Sequence, residues 1–331
     1  MTSLRAGLSG CGAAGLAAIA ATRTHGHCDI VAAHDPDQAA AQALQRAAGV
    51  GTVTSRFEDL LATGVDFVVL TGPAEQRLEQ VRLACEQAVP VLLHAPMAPG
   101  LADAAAMVAA GEAADVRLGV LVPDIGDPVA EQLRRMLVDG WFGALIAAHG
   151  FRGADAASRA PRSPADALLP LADDVHLVAW LTGRSCVQVQ AQTMRGLRPT
   201  AVDSAVATAR LRGEVQAVFA TSHLSAGRSF CVRGTAGSVL WLGDTVVVRG
   251  SRGYDGATFG YDGAGAERIV AGAALREARA RLAPALEGHG RFARWLDDRD
   301  GFPCPAEQAL LDMRTLDAMQ RALVSGATEP V

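Results

Sequence analysis

The chain has 331 residues, enough for two domains with separate hydrophobic cores. Half of the residues are hydrophobic, but no apolar run reaches the roughly 18 residues that span a bilayer. The formal net charge of −5 argues against nucleic acid and anionic membrane surfaces as partners, because both require a basic face.

Cysteine and basic-residue usage narrow the chemistry further. The chain has no C-x-x-C pair and no cysteine–histidine cluster, so we expect reduced thiols, a cytoplasmic location and no metal site. All 30 basic residues are arginine. No lysine is therefore available as a proton donor or for a Schiff base.

The N-terminal stretch contains a glycine pattern typical of dinucleotide-binding domains. A short apolar run leads into Gly10-Cys11-Gly12-Ala13-Ala14-Gly15, and an alanine-rich helical pattern follows. Asp35 ends the next strand-like run, where such a unit places a carboxylate for the ribose hydroxyls. We expect Gly10 to permit a tight turn, Gly12 to admit a pyrophosphate, and Gly15 to allow close packing of helix and strand. An ordinary buried strand–helix turn is the alternative.

Strand and helix patterns alternate up to about residue 122. The predicted strands cover residues 4–9, 30–34, 66–71, 89–94 and 117–122. Because these strands are apolar throughout and helices separate them, they indicate a parallel sheet covered on both faces, an α/β Rossmann domain. Ligands of such sheets lie beyond the carboxyl ends of the strands, so one crevice is expected to collect Gly10, Asp35, Thr71 and His94.

From about residue 123 the pattern becomes rich in alternating strands. Residues 144–151, 187–194, 205–211, 214–222, 228–233, 239–241 and 245–249 indicate a mostly antiparallel sheet with one open face, in an α+β domain. We predict a dinucleotide-binding domain at 1–122 and a substrate and oligomerisation domain at 123–331. An alternative considered is that the last helix, 306–323, packs back on the N-terminal domain.

In their order, these segments resemble the Gfo/Idh/MocA family, NAD(P)-dependent dehydrogenases acting mainly on sugars and cyclitols. Besides the glycine loop, the resemblance rests on residues 33–37, 71–73, 93–98, 139–143, 234–238 and 302–305. It implies NAD(P) as cofactor, a small-molecule substrate, and a homodimer or homotetramer formed through the C-terminal sheet. It also implies that Thr71, Gly72, Pro73 and His94 contribute to cofactor binding.

Three departures from the resembled family concern its active site. The family ends its fifth strand with Glu-Lys-Pro, and here those positions are His94, Ala95 and Pro96. Alanine cannot transfer a proton, so the usual acid–base lysine is missing. The histidine that the family usually has in the helix after Thr71-Gly72-Pro73 falls on Arg77. A family aspartate four residues before a histidine is also missing, since Ala172 precedes His176 at that spacing. A shift of the alignment by three residues would instead put His176 where the family has an acidic residue, and in either case the usual set of lysine, aspartate and histidine is incomplete.

His176 is the first acid–base candidate, with Asp173 or Asp174 to orient its ring. The alternative is a half-buried structural histidine near a helix start. The aspartates would then be first-turn charges that the helix dipole stabilises. His94 is a candidate for a cofactor contact or for proton transfer. No arginine directly follows Asp35 to receive a 2′-phosphate, so NAD is favoured over NADP.

Three arginines precede the predicted helix of His176. Bidentate guanidinium groups suit carboxylates or phosphates, so an anionic substrate is one interpretation, and a solvated surface is the other. The residues concerned are Arg152, Arg159 and Arg162.

The sequence as a whole predicts an NAD(H)-dependent oxidoreductase with a lysine-free active site. The substrate is expected to be a small ketone or alcohol, or a cyclic imine, because the imine reductases of the resembled family also lack the lysine. The alternative is a non-redox lyase, cyclase or binding protein that keeps the fold, with or without a bound nucleotide.

Overall fold

The computed structural model describes residues 3–153, 161, 163–195, 202–250 and 266–331. The chain divides into two compact units. The first consists of Met1–Gly126 and Ala283–Leu310, and the second of Asp127–Leu282 and Leu311–Val331. The return segment 283–310 in the first unit has no counterpart in the division predicted from the sequence, 1–122 and 123–331.

The first unit is built on a six-stranded parallel sheet with strand order β3-β2-β1-β4-β5-β6. Its strands are β1 (Leu4–Ser9), β2 (Cys28–His34), β3 (Thr52–Thr54), β4 (Phe67–Leu70), β5 (Val91–His94) and β6 (Leu118–Leu121). Its helices are α1 (Ala13–Thr22), α2 (Gln38–Ala48), α3 (Phe57–Leu61), α4 (Arg77–Glu86), α5 (Leu101–Ala114) and, from the return segment, α9 (Gly288–Leu296).

Burial of both sheet faces explains why these strands are apolar throughout. All four residues of β4 are buried, as are Val91, Leu92 and Leu93 of β5. The return segment completes this core, since the ring of Phe292 in α9 lies 5.4 Å from Phe67 and 5.3 Å from Phe302. Such aromatic pairs add packing energy beyond the area that they bury.

The second unit contains a nine-stranded sheet in the order β14-β13-β12-β11-β7-β10-β9-β8-β15. Its strands are β7 (Leu145–Gly153), β8 (Cys186–Met194), β9 (Ser204–Leu211), β10 (Val215–Ser222), β11 (Gly227–Gly234), β12 (Gly237–Leu242), β13 (Thr245–Gly250), β14 (Ala266–Ala271) and β15 (Glu329–Pro330). The helices assigned wholly or partly to it are α6 (Pro128–Val138), α7 (Ala172–Thr182), α8 (Ala273–Leu286) and α10 (Ala306–Ser325).

This sheet has one buried and one open face. Only β7 and β10 pair in parallel, and every other adjacent pair is antiparallel. In β9 and β10 buried residues alternate with more exposed ones, the pattern of a half-covered antiparallel sheet. The predicted fold class is confirmed. Across the described segments, no helix is both long and apolar enough to cross a membrane.

Candidate functional site

Close backbone packing shapes the glycine loop between β1 and α1. Gly10 has a φ of +106°, and a Cβ there would lie 2.4 Å from the backbone nitrogen of Gly72. A Cβ on Gly15 would lie 2.3 Å from the carbonyl oxygen of Gly10. Both positions therefore require glycine for the geometry of the loop itself.

Gly12 differs from its two neighbours, because a Cβ there would meet no protein atom within 4 Å. It precedes the first turn of α1, which receives no side-chain cap. The first backbone N–H groups of a helix lack partners within the helix and favour an anion. The loop thus fits the pyrophosphate of a dinucleotide, in agreement with the sequence pattern.

Asp35 lies directly after β2 and is tied to the glycine loop. Its Oδ2 accepts the N–H of Cys11 at 2.8 Å, and its Oδ1 accepts the N–H of Asp37 at 2.9 Å. Each carboxylate oxygen has a further lone pair for a ligand hydroxyl. Burial, and secondarily the charge of Asp35, raises the pKa of the Cys11 thiol to about 11, so this loop cysteine stays protonated.

A buried polar network supports the ends of β1 and β2. The Nε2 of Gln80 donates to the Ser9 hydroxyl at 2.9 Å, which lies 2.9 Å from Nδ1 of His34. Ser9 can therefore donate to Nδ1, which leaves the proton of the neutral His34 ring on Nε2. Burial lowers the pKa of His34, which favours this neutral form. None of these three residues was predicted from the sequence to support the site.

The loop after β4 is joined to the glycine loop. The Thr71 hydroxyl lies 2.9 Å from the Gly10 carbonyl oxygen and 3.1 Å from that of Ser9, and the N–H groups of Thr71 and Gly72 donate to Ser9. Three predicted cofactor-binding positions, at residues 10, 35 and 71, thus lie along one edge of the sheet. The hydroxyl of Thr71 is used within the protein.

Arg77, at the start of α4, joins the loops after β4 and β5. Its Nε and Nη2 donate to the Gly72 carbonyl at 3.2 and 2.9 Å, and its Nη1 donates to the carbonyls of His94 and Pro96. The residue is 6% exposed. No carboxylate of the described residues forms an ion pair with it, and burial lowers the pKa of its guanidinium to about 10, which keeps it charged at neutral pH.

His94, at the end of β5, faces His289 of α9, with ring centroids 5.7 Å apart. Burial, then the charges of His289 and Arg77, lowers the pKa of His94 to about 3. His94 is therefore neutral at physiological pH. A proton-transfer role would have to use the neutral ring.

In the second unit, His176 lies in α7 and is 1% exposed. Its Nδ1 is 2.6 Å from Oδ2 of Asp312 in α10, which is itself buried. The expectation that Asp173 or Asp174 orients this ring needs correction, because the bonded carboxylate is Asp312. Asp174 is two residues from His176 and so points to a different side of the helix. Asp173 has the i,i+3 spacing that would allow contact, but its carboxylate lies 3.5 Å from Arg152.

Asp173 and Asp174 instead interact with Arg152 of β7. Nη1 of Arg152 is 3.5 Å from Asp173, and Nη2 is 3.0 Å from Asp174. Arg228 of β11 lies directly opposite Arg152 in the sheet, 4.0 Å from Asp174, and its guanidinium stacks 4.3 Å from the Trp241 ring. Arg228 was not identified from the sequence, and Arg159 and Arg162 lie outside the described residues.

A parallel sheet in the order β3-β2-β1-β4-β5-β6, a glycine loop before α1 and a carboxylate after β2 together define a Rossmann dinucleotide-binding domain. The sequence model of the Gfo/Idh/MocA oxidoreductases, described as an oxidoreductase family with an NAD-binding Rossmann fold, matches residues 4–122. Residues 4–122 are therefore similar to the NAD-binding domain of that family. The match supports the predicted class of enzyme, an NAD-binding oxidoreductase.

Solved structures similar to this one cover nearly the whole chain. An oxidoreductase domain protein from Kribbella flavida is 20% identical, with a TM-score of 0.84 and 100% of each chain covered. An Agrobacterium radiobacter oxidoreductase, in complex with NAD+, L-tartaric acid and magnesium, is 17% identical, with a TM-score of 0.82 and 99% of this chain and 98% of that chain covered.

The WlbA dehydrogenase from Bordetella pertussis, in complex with NADH and UDP-GlcNAcA, is 22% identical, with a TM-score of 0.80 and the same coverage of 99% and 98%. At these identities the similarity establishes the fold. A comparison with curated protein sequences found no match.

Proposed function

We propose that this protein is an NAD(H)-dependent oxidoreductase that transfers hydride to or from a small polar substrate. The observation that carries the proposal is the position of Asp35, whose carboxylate is hydrogen-bonded to the glycine loop at Cys11. This contact supports the proposal, because the carboxylate that would bind the ribose lies beside the loop that would hold the pyrophosphate. The bound nicotinamide would supply the hydride.

The charges around Asp35 favour NAD(H) over NADP(H). Asp37, two residues further, caps α2 by accepting the N–H of Ala39 at 2.9 Å, so a second carboxylate lies on the same turn. Pro36 stands where an arginine would receive a 2′-phosphate. A 2′-phosphate near these carboxylates would be repelled, whereas a ribose hydroxyl would donate to Asp35.

We assign the proton transfer to His176, oriented by Asp312. When Nδ1–H donates to the carboxylate, Nε2 is the nitrogen that gives or takes the proton, and the buried carboxylate stabilises the charged ring. Ala95 at the end of β5 cannot take this role, and the chain has no lysine. A protonated cyclic imine would need less help from the protein than a ketone would.

Arg152 supports an anionic substrate, together with Arg159 and Arg162 of the same segment. Its side chain is 21% exposed and lies beside the carboxylates of Asp173 and Asp174. The related structures hold acidic molecules, L-tartaric acid in one and UDP-GlcNAcA in another. A carboxylate-bearing substrate is consistent with both observations.

The open face of the second unit's sheet is the surface that we assign to a homodimer or homotetramer. His149, Cys231 and Leu240 lie side by side on this face across β7, β11 and β12. Leu240 and Leu242 are 37% and 43% exposed. Apolar residues exposed along neighbouring strands are typical of a protein interface.

A second candidate function is a non-redox reaction, or binding alone, with the nucleotide retained. Ala95 favours it, because the position where the resembled family has its lysine is chemically inert. The purified protein distinguishes the two functions. Absorbance and mass spectra identify a co-purifying dinucleotide, and incubation with deuterated NADH and candidate substrates shows whether deuterium is transferred. Bound dinucleotide without deuterium transfer to any carbonyl, imine or sugar substrate would favour the second candidate.

A further inference from the structure

Glu287 is at the centre of a buried cluster in the first unit. It precedes α9, and its Oε2 accepts the N–H of Gly290 at 2.9 Å and lies 3.0 Å from Nε2 of His25. Its Oε1 is hydrogen-bonded to Nδ1 of His289. Burial alone would raise the pKa of Glu287, but the bonds from both histidines and from Gly290 together hold that pKa well below its usual range.

These contacts define the tautomers of two rings. Nδ1 of His25 accepts the N–H of His27 at 3.0 Å, so its proton is on Nε2, which faces Glu287. His289 donates Nδ1–H to the same carboxylate, which leaves a lone pair on Nε2 of the neutral ring. Both nitrogens of His25 therefore face a polar group, the His27 N–H on one side and Glu287 on the other. Nε2 of His289 has no hydrogen-bond partner in the described part of the chain.

The remaining nitrogen of His289 lies beside His94. His289 is 2% exposed, and within the described part of the chain no atom hydrogen-bonds to its Nε2 or to the buried Nε2 of His94. The two rings are inclined at 52° with their centroids 5.7 Å apart, so a hydrogen bond between the two nitrogens requires the rings to move closer together. One shared proton would satisfy both buried nitrogens, which otherwise cost free energy.

We propose that Glu287, His289 and His94 form a proton relay that ends at the carboxyl end of β5. Before the relay takes up a proton, His94 donates Nε2–H to the lone pair on Nε2 of His289, and Nδ1 of His94 is an acceptor. When one proton is taken up at Nδ1 of His94, the shared proton moves to His289. Nδ1 of His94 is then a donor, and the positive charge lies on His289 beside Glu287.

The surrounding charges favour this distribution. Arg77 donates to the His94 carbonyl and disfavours a cation on His94, whereas the carboxylate of Glu287 favours one on His289. Behind His25 lie the ring of His27 and the charges of Arg294, Arg299 and Asp300. The Cys28 thiol, 4.0 Å from the His289 carbonyl, stays protonated because burial raises its pKa to about 12.

Resting on the proposed function, the relay would sense the redox state of the cofactor. Ligands of such sheets bind beyond the strand ends, where His94 lies. Oxidised nicotinamide carries a positive charge, which the protonated relay repels. The reduced ring carries no such charge and is not repelled. Lower pH should therefore favour NADH over NAD+, with one proton linked to the difference. Glu287 and His289 would act as positioning residues for His94.

The test combines ¹⁵N NMR of labelled histidines with cofactor titrations. In the cofactor-free protein we expect Nδ1 and Nε2 of His94 to exchange their protonated and unprotonated signals in one titration step, while only His289 becomes an imidazolium. A His94 signal that keeps one tautomer throughout would overturn the relay. This measurement needs no variant and no bound cofactor.

The cofactor titrations test the redox coupling. The ratio of the NAD+ Kd to the NADH Kd should rise by up to tenfold per pH unit as the pH falls through the titration step seen by NMR. Glu287→Gln and His289→Gln should flatten this dependence, and His27→Gln should retain it. An unchanged ratio across pH in the folded wild-type protein would contradict the redox coupling while leaving the dehydrogenase function intact. Failure to bind either cofactor would contradict the dehydrogenase function, and the NMR result would still decide the relay.

Discussion

Asp312 and His176 are 136 residues apart in the chain, yet Oδ2 of Asp312 lies 2.6 Å from Nδ1 of His176, with both side chains buried. A carboxylate in this position fixes which ring nitrogen carries the proton. The pair has the arrangement of a histidine prepared for acid–base work, built from two different helices of one unit.

Asp312→Asn should lower turnover, because the amide cannot stabilise the charged ring. If His176 is the general acid, the loss should approach the roughly 10²–10⁴-fold typical of general acid–base catalysis. The NADH Kd should stay unchanged. Asp317→Asn, on the same helix and paired with Arg321 at the surface, is the matched control. Unaffected turnover in the folded Asp312→Asn variant would show that the pair is structural.

Gly12 and Gly15 of the glycine loop should respond differently to one added methyl group. Gly15→Ala would press a Cβ against the Gly10 carbonyl oxygen and should destabilise the fold by about 1–3 kcal/mol. Gly12→Ala meets no protein atom, so its Tm should match the wild type while NADH binds at least tenfold more weakly. Thermal melts and NADH fluorescence titrations test both. Wild-type NADH affinity in Gly12→Ala would place the pyrophosphate elsewhere.

Arg77→Met should destabilise the first unit. The change leaves the half-buried carbonyls of Gly72, His94 and Pro96 without their donor, and each such loss costs up to about 1–3 kcal/mol. Urea unfolding measures the effect. Arg82→Met, on the same helix with a half-exposed side chain, is the control and should be nearly neutral. Equal stability of the two variants would mean that Arg77 does not hold the loops together.

The low pKa of His94 makes a prediction about stability and pH. Because its pKa is lowered from 6.5 to about 3, the unfolded chain binds the proton more readily than the folded protein between these values. Stability should therefore fall as pH drops below about 6.5, by up to about 1.4 kcal/mol per pH unit from this group. His94→Gln should show a shallower decline in urea unfolding between pH 6.5 and 4. The same slope in both proteins would contradict the buried neutral ring.

Local patterns explain how much of the fold could be predicted from the sequence. The apolar run ending at Gly10 and the spacing to Asp35 are short-range features, and the structure has β1, α1 and β2 in those places. Helices α8 and α9 were not predicted. The apolar residues of α9, such as Phe292, pack against strands more than two hundred residues earlier in the chain. Periodicity carries no information about such partners.

In the candidate site too, residues marked by a local motif could be predicted and residues placed by long-range contacts could not. Glycines and strand-end residues are marked by their position in a motif, so Gly12, Asp35 and His94 could be selected from the sequence. Asp312 and Glu287 occur in helical or loop stretches with no motif, where an acidic residue is most often a solvated one. Their roles follow only from long-range contacts, with His176 in one unit and with His25 and His289 in the other.

The comparison of NADH with NADPH binding tests the central claim most directly. Fluorescence titrations of the wild-type protein should show NADH binding at least tenfold more tightly, because Asp35 accepts a ribose hydroxyl and repels a 2′-phosphate. Asp35→Ser should weaken NADH binding and reduce this preference. Equal affinities for the two cofactors, or binding of neither, would contradict the assignment of Asp35 and with it the proposed NAD(H)-dependent function.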